Sequence, residues 1–251
     1  MNSANTKLII FGATGLVGSN LLNKLNEINF ETFAPERSLV NLFDFQTVSD
    51  YINKISPDFV INCAGKVGGI AINNDNQNEF FNKNLDIGRN IIDACNQNSI
   101  KNLINLGSSC MYPSNIPDRT LREKDILSGP FEQTNEGYAL AKVSVFKLCQ
   151  YSNQKNGTNF KTFIPCNLYG PNDKFDKYTA HLIPAIINKV HDAKINNKKE
   201  IEIWGSGVVR REFMFSEDLA DFIIFAIKNW FKIPEVVNVG MGQDYSVNYY
   251  Y

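Results

Sequence analysis

No two of the five cysteines in this 251-residue chain have the CxxC spacing of a redox or zinc motif. Cys63, Cys95, Cys110, Cys149 and Cys166 are odd in number and widely scattered, which argues against a disulfide framework and against a zinc site. Long apolar runs are missing as well. The longest, Phe222 to Ile227, falls far short of the roughly 20 residues that a membrane-spanning helix needs. No basic, apolar leader precedes the first strand-like run, "KLIIFG", so no secretory signal is read and the expected setting is soluble and cytoplasmic. Charge of one sign is absent too. Lys and Arg number 25 against 26 Asp and Glu, so neither nucleic acid nor an anionic membrane is an expected partner. There is no internal repeat and no low-complexity linker.

What is present is a globular balance of apolar and charged residues, in a chain long enough to bury a sizeable core. Short apolar runs alternate with helical periodicity: "KLIIFG", "LVGSNLLNKLNEI", "DFVINCAG", "IGRNIIDACNQN", "NLINLGSS", "KTFIPCNLYGP". Apolar strands separated by helices pair in parallel and are buried on both faces, so the fold class is α/β with a doubly wound parallel sheet. Residues 1–170 are assigned to this dinucleotide-binding domain. After Pro171 the pattern changes. A charged, aromatic loop leads to a helix from about His181, a strand "EIEIWG", a helix after Ser216 and a strand "VVNVGMG". Residues 171–251 are therefore expected to form a smaller α/β substrate-binding subdomain, interleaved with the end of the sheet. Asn156-Gly157-Thr158 fits a glycosylation sequon but reads as a turn.

The first strand runs into Gly12-Ala13-Thr14-Gly15-Leu16-Val17-Gly18, a GxxGxxG turn that opens a helix. Its glycines permit a tight turn and let backbone N–H groups approach a pyrophosphate at the positive end of that helix. The bare pattern is weak; its place between strand and helix makes it a dinucleotide site. Near the expected end of the second strand, Glu36 and Arg37 stand together. One is the residue type that marks NAD, the other the type that meets the 2′-phosphate of NADP. Asp44 suits an adenine contact or a helix N-cap equally.

Tyr138 and Lys142 are four residues apart and so share one helical face. A nearby ammonium, with an oxidised nicotinamide ring adjacent, favours the phenolate and is expected to lower the Tyr pKa from about 10. Such a pair can deliver a proton to a carbonyl oxygen while a serine hydroxyl, here Ser108 at a strand end, holds the same oxygen. Following a GxxGxxG turn, the Ser108, Tyr138, Lys142 triad resembles that of the extended short-chain dehydrogenase/reductases, over nearly the whole chain.

Within that group, Ser108-Ser109-Cys110-Met111-Tyr112-Pro113 combines with "AGKVGGI", "TNEGYALAK", "NLYGPNDKFD", "AHLIPAI" and "WGSGVVRREF". Together they resemble the GDP-L-fucose synthases, which are 3,5-epimerase-4-reductases of a GDP-4-keto-6-deoxy-hexose. The resemblance implies NADP(H) as cofactor, a GDP-sugar as substrate and homodimerisation through the helix that carries Tyr138. It implies cofactor contacts from the GxxGxxG turn and Arg37, and from Leu106, Gly107, Ser108 and Ser109. Further contacts are implied from Lys142, from Pro165, Cys166, Asn167 and Leu168, and from His181. Lys66 to Gly69 are implied to face the sugar or nicotinamide, and Trp204 and Arg211 to hold the GDP moiety. Lys189 stands where the family has arginine, keeping the charge without the bidentate fork.

Chemistry supplies a reason for two more residues. Protons at C3 and C5 of a 4-keto hexose lie α to the carbonyl, so epimerisation needs an acid and a base beside one oxyanion site. Cys110, two residues after Ser108, and His181, with a pKa near neutrality, are the candidates for this pair. The other four cysteines read as small buried hydrophobes and His191 as a surface residue. Chains of the family continue beyond the segment matching "DYSVNYYY". The sequence is thus expected to be a truncated gene, a fragment or a minimised variant, with apolar surface exposed or the subdomain loosely ordered.

Overall fold

The computed structural model describes residues 6–28, 30–116, 120–176, 179–203 and 205–251. Its elements in chain order are β1 (Lys7–Phe11), α1 (Leu16–Asn26), β2 (Glu31–Phe33), α2 (Phe45–Ile55), β3 (Phe59–Asn62), α3 (Ile70–Asp75) and α4 (Gln77–Gln97). There follow β4 (Asn102–Leu106), α5 (Glu136–Asn156), β5 (Asn159–Pro165), β6 (Asn167–Tyr169) and α6 (Leu182–Ile195). The remainder comprises β7 (Arg210–Arg211), β8 (Phe213–Phe215), α7 (Ser216–Lys228), β9 (Val236–Val239), β10 (Tyr245–Ser246) and α8 (Val247–Tyr250).

Six strands pair in parallel in the order β2-β1-β3-β4-β5-β9. Successive side chains of a strand point to opposite faces, and both faces here are covered. Leu8 and Ile10 of β1, Phe59 and Ile61 of β3 and Ile104 of β4 pack with Leu219 and Ile223 of α7 and Leu21 of α1. Ile9, Val60, Leu103 and Phe160 alternate with them and meet Val48 of α2, Ile91 of α4 and Val145 of α5. The doubly wound plan expected from the sequence is the one observed. The chain leaves β1 for β2 on one side and returns to β3 on the other. In doubly wound sheets the ligand crevice lies where this order reverses, outside the carboxyl ends of the strands.

Past residue 171 the chain contributes to both regions. α7 lies against α1, joined by Lys24 Nζ donating to Asp221 at 2.7 Å, and β9 is the sixth strand of the main sheet. The remaining pieces form two small ribbons, β6 with β8 in parallel and β7 with β10 antiparallel. The strand expected at "EIEIWG" does not form: residues 200–203 are coil. Alternation alone does not make a strand without a neighbouring edge, and β7 and β8 each pair elsewhere. Exposed apolar side chains are spread over the chain, with Val208 at 67% and Met241 at 60% near these ribbons but also Phe231 at 83% and Ile70 at 68%.

One smaller expectation is also revised. Cys95 and Cys149 are buried, but Cys63 and Cys166 are only half-buried, because each follows the last residue of a strand at the open edge. Gly157, within the sequon, takes φ +58° and ends α5 as its left-handed cap.

Candidate active site

The glycine-rich turn is shaped by close approach. Gly12 has φ +82°, and a Cβ there would lie 2.6 Å from the Ala64 nitrogen. At Gly18 a Cβ would meet the Gly12 carbonyl oxygen at 2.3 Å, so helix and turn pack only without a side chain. Gly15 is the N-cap of α1 and offers no side chain to its first turn, which leaves those N–H groups for an anion. A cradle that a Cβ would fill, at a helix start and beside the sheet's crevice, fits a dinucleotide. Arg37 and Glu36 are both exposed on the loop after β2. Asp44 is an N-cap: its Oδ1 accepts from the Gln46 amide at 2.9 Å.

At the end of β4 the chain turns sharply. The Ser108 amide faces Met111 Sδ at 3.4 Å, and Ser108 Oγ accepts from the Cys110 amide at 3.3 Å. Residues Ser109–Met111 form one 3₁₀ turn, which brings Cys110 back toward Ser108. The Ser108 side chain also acts on the Tyr138 hydroxyl and the Cys110 thiol. Lys142, one turn along α5 from Tyr138, donates to the Leu106 carbonyl at 2.8 Å and lies 5.7 Å from the Tyr138 ring centroid. Ser108, Cys110, Tyr138 and Lys142 therefore meet at one strand end.

Burial governs their titration. It draws Lys142 down to about 8, with the Cys63 and Cys110 thiols opposing the shift. It raises the Tyr138 pKa, with the neighbouring Cys110 adding to the rise and the Ser108 hydrogen bond opposing it. Lys142 by itself does not lower the Tyr138 pKa. Its ammonium is turned onto a backbone carbonyl, and desolvation favours the neutral form of both groups. Tyr138 is thus held as a phenol, the form a proton donor needs. Burial also raises Cys110, while Ser108, the charge of Arg211 and Asn135 pull it back.

Three contacts at the site were invisible in the sequence. Asn135 occupies the N-cap of α5 but makes no capping bond; its Nδ2 donates to Cys110 Sγ at 3.2 Å instead. An Asn at that spacing signals a cap, and only the fold diverts it to the thiol. Asn84, buried in α4, grips the loop after β3 from both sides. Its Oδ1 accepts from the Lys66 amide and its Nδ2 donates to the Lys66 carbonyl, each at 3.0 Å. A Cβ on Gly65 would stand 2.9 Å from Asn84 Oδ1 and 3.8 Å from Lys142 Nζ, so this loop passes beside the triad. Across the strand ends, Asn62, Asn105 and Thr162 form a buried polar row at 3.4 Å spacings.

The other expected residues sit on several further elements. Val67 is exposed, and Lys66 pairs with Glu79 at 2.5 Å, which together with Lys83 holds the Glu79 carboxyl down at about 2. Leu106 and Pro165 end β4 and β5, and Gly107 leads into the Ser108 turn. Cys166 follows β5; Leu168 lies in β6, where Asn167 Nδ2 donates to the Glu212 carbonyl at 2.9 Å. Arg211 is exposed in β7, with Nη1 donating to the Arg210 carbonyl at 2.8 Å. Lys189 Nζ donates to the Glu202 carbonyl at 2.9 Å and reaches the Tyr251 hydroxyl at 3.4 Å. Trp204 lies outside the described residues. His181 is the N-cap of α6, and the charged groups acting on it are Asp173 and Lys174, not members of the Ser108 cluster. Although the residue is exposed, enough protein surrounds the ring for desolvation to lower its pKa, with Asp173 opposing.

Comparison with known proteins places this geometry among relatives. A family model described as the NAD dependent epimerase/dehydratase family matches residues 8–240. The chain is 46% identical to a GDP-L-colitose synthase of Yersinia pseudotuberculosis, over 98% of its own length and 80% of the relative's. It is 44% identical to a GDP-L-fucose synthase of Azorhizobium caulinodans, over 98% of its length and 78% of the relative's. Among solved structures, a GDP-mannoheptose C4 reductase from Campylobacter jejuni with NADP bound superposes with a TM-score of 0.89. The two are 31% identical, over 98% of this chain and 82% of that one.

Proposed function

The chain belongs to the NAD dependent epimerase/dehydratase family, and from that premise we propose that it is an NADPH-dependent GDP-sugar enzyme. We assign it the 3,5-epimerisation and 4-reduction of GDP-4-keto-6-deoxy-D-mannose to GDP-L-fucose. The observation that carries the reading is the convergence of Ser108, Tyr138 and Lys142 with a hydrogen-bonded thiol, Cys110, at one strand end. Relatives at 44–46% identity named as GDP-L-fucose and GDP-L-colitose synthases support the substrate class.

In this reading Ser108 and the Tyr138 phenol both donate to the C4 oxygen. As a base removes the proton at C3 or C5, negative charge moves onto that oxygen, and the two hydroxyls hold it. Cys110 exchanges a proton at the carbons next to C4, and His181 serves the opposite face. When bound, NADPH supplies the hydride that C4 receives. Tyr138 then gives up its proton to the C4 oxygen, and Lys142 stabilises the phenolate left behind. The turn from Gly12 to Gly18 holds the pyrophosphate, Arg37 the 2′-phosphate, and Arg211 the GDP diphosphate. We extend the proposal to a homodimer through α5, where Leu140 and Tyr151 share one face and stay exposed.

A second reading, C4 reduction without epimerisation, is favoured by the likeness to the GDP-mannoheptose C4 reductase. One experiment separates them. Turnover of the GDP-4-keto sugar is followed by NADPH absorbance in D₂O, and the product is analysed for deuterium at C3 and C5. The bifunctional reading requires deuterium at both carbons, and Cys110→Ser should suppress its entry by about 100-fold or more while sparing hydride transfer. Reduction with no solvent deuterium at either carbon makes the protein a simple reductase.

A further inference from the structure

Asp173 lies on the loop between β6 and α6, and its two carboxylate oxygens have different environments. Oδ1 accepts from the Lys174 amide at 2.8 Å. Oδ2 is buried and has no hydrogen-bond partner. Buried polar atoms almost always have partners, so an orphaned carboxylate oxygen calls for an explanation. The loop is held in shape around it: the Asp173 amide donates to the Gly170 carbonyl at 3.3 Å, and Asn172 Nδ2 donates to Ser19 Oγ at 3.2 Å. Asp173 also lines a cavity of about 340 Å³ with Tyr169, Phe175, Phe215 and the first turn of α6, at Ile183 and Pro184. Those walls are mainly apolar, and no donor on them bonds to Oδ2.

A titrating group that acts on Asp173 stands at the start of that helix. His181 is the N-cap of α6 yet makes no capping bond, so its ring is not committed to the helix. We propose that Asp173 is the positioning residue for His181, its buried carboxylate oxygen accepting a hydrogen bond from the imidazole and fixing which ring nitrogen faces the substrate. Burial lowers the imidazole pKa, with Asp173 opposing and Lys174 adding to the fall, and burial raises that of Asp173, with the Lys174 amide and His181 opposing. The arrangement gives His181 a defined tautomer and offsets the desolvation that would otherwise drain its basicity. Asp173 itself need not touch the sugar.

The inference rests on the reading of His181 as a proton-exchanging group, so its test has an arm independent of activity. The protein has two histidines, and His191→Gln assigns their resonances in a titration of the imidazole ring by NMR. Asp173→Asn is expected to lower the His181 pKa by about 1 unit, the effect of removing a neighbouring opposite charge. An unchanged His181 pKa in a variant with wild-type circular dichroism overturns the proposal. Should that variant not fold, the wild-type protein alone decides. Nitrogen-15 shifts of a positioned ring show one neutral tautomer, whereas a mixture like that of His191 overturns the assignment. In turnover, Asp173→Asn should slow deuterium entry about tenfold and move its pH profile to lower pH, with hydride transfer to an epimerised ketone unchanged. Survival of exchange in His181→Gln would sink the epimerase role of His181 and leave the NMR result standing by itself.

Discussion

Lys142 carries the clearest trade-off between folding and chemistry. It is 8% exposed, it donates to the Leu106 carbonyl, and burial brings its pKa from an ordinary 10.5 to about 8. Between those values the unfolded chain holds a proton that the folded chain does not, so stability rises as pH climbs through the window. Below about 8 the folded protein carries the full cost of a buried charge, on the order of 3 kcal/mol for a shift of this size. Lys142→Met removes that cost and should gain stability relative to wild type at pH 7, while abolishing reduction. The gain should shrink by about 3 kcal/mol as pH rises to 10.5, whatever constant penalty comes from leaving the Leu106 carbonyl unpaired. Urea midpoints at pH 7, 8.5 and 10 measure it. A gap between the two proteins that does not change with pH would mean Lys142 titrates normally in the fold.

At the scale of elements, the site depends on α4 and α5 packing without a gap. α5 carries Tyr138 and Lys142, and α4 carries Asn84, which grips the loop beside them. Gly88 of α4 is the point of closest approach, since a Cβ there would lie 2.3 Å from Val145 Cγ2 of α5. Gly88→Ala should destabilise by about 1–3 kcal/mol through overpacking, despite the better helix propensity of alanine. Val145→Ala added to it should recover part of that loss, a non-additivity that a double-mutant cycle reads directly. Additive losses would show that the helices separate freely. The same elements show what a sequence can and cannot reveal. Strands β1, β3, β4 and β5 were legible because burial on both faces makes them near-continuous apolar runs. The GxxGxxG turn and the YxxxK spacing were legible because each is a local geometric requirement. Asn135 against Cys110 and Asn84 against Lys66 depend on chain segments meeting in space, which no local pattern encodes. "EIEIWG" misled because its alternation is local and the partner edge a strand needs is not.

For the whole molecule, the proposed cofactor and substrate contacts fall on different sheets. The glycine-rich turn sits in the six-stranded sheet, while Arg211, the proposed diphosphate clamp, sits on the two-stranded β7–β10 ribbon. That ribbon is braced by the final residues. Tyr245 pairs with Arg211, the Tyr250 hydroxyl donates to the Arg211 carbonyl at 2.9 Å, and the Tyr250 ring meets Phe213 edge-on at 5.0 Å. Tyr245 stacks on Tyr249 at 4.3 Å, so the terminal tyrosines form one aromatic clasp over the edge of the subdomain. Tyr250→Ala removes both the ring contact and the hydrogen bond, and should weaken GDP binding by about tenfold, or roughly 1.4 kcal/mol. Tyr250→Phe keeps the ring and should lose less. Neither change reaches the Gly12–Gly18 turn, so NADPH affinity should stay within about twofold of wild type in both. Titration calorimetry with GDP and with NADPH on the same preparations tests the division. Equal losses for the two ligands would show that the ribbon and the sheet act as one unit, and unaltered GDP binding would remove Arg211 from the nucleotide site.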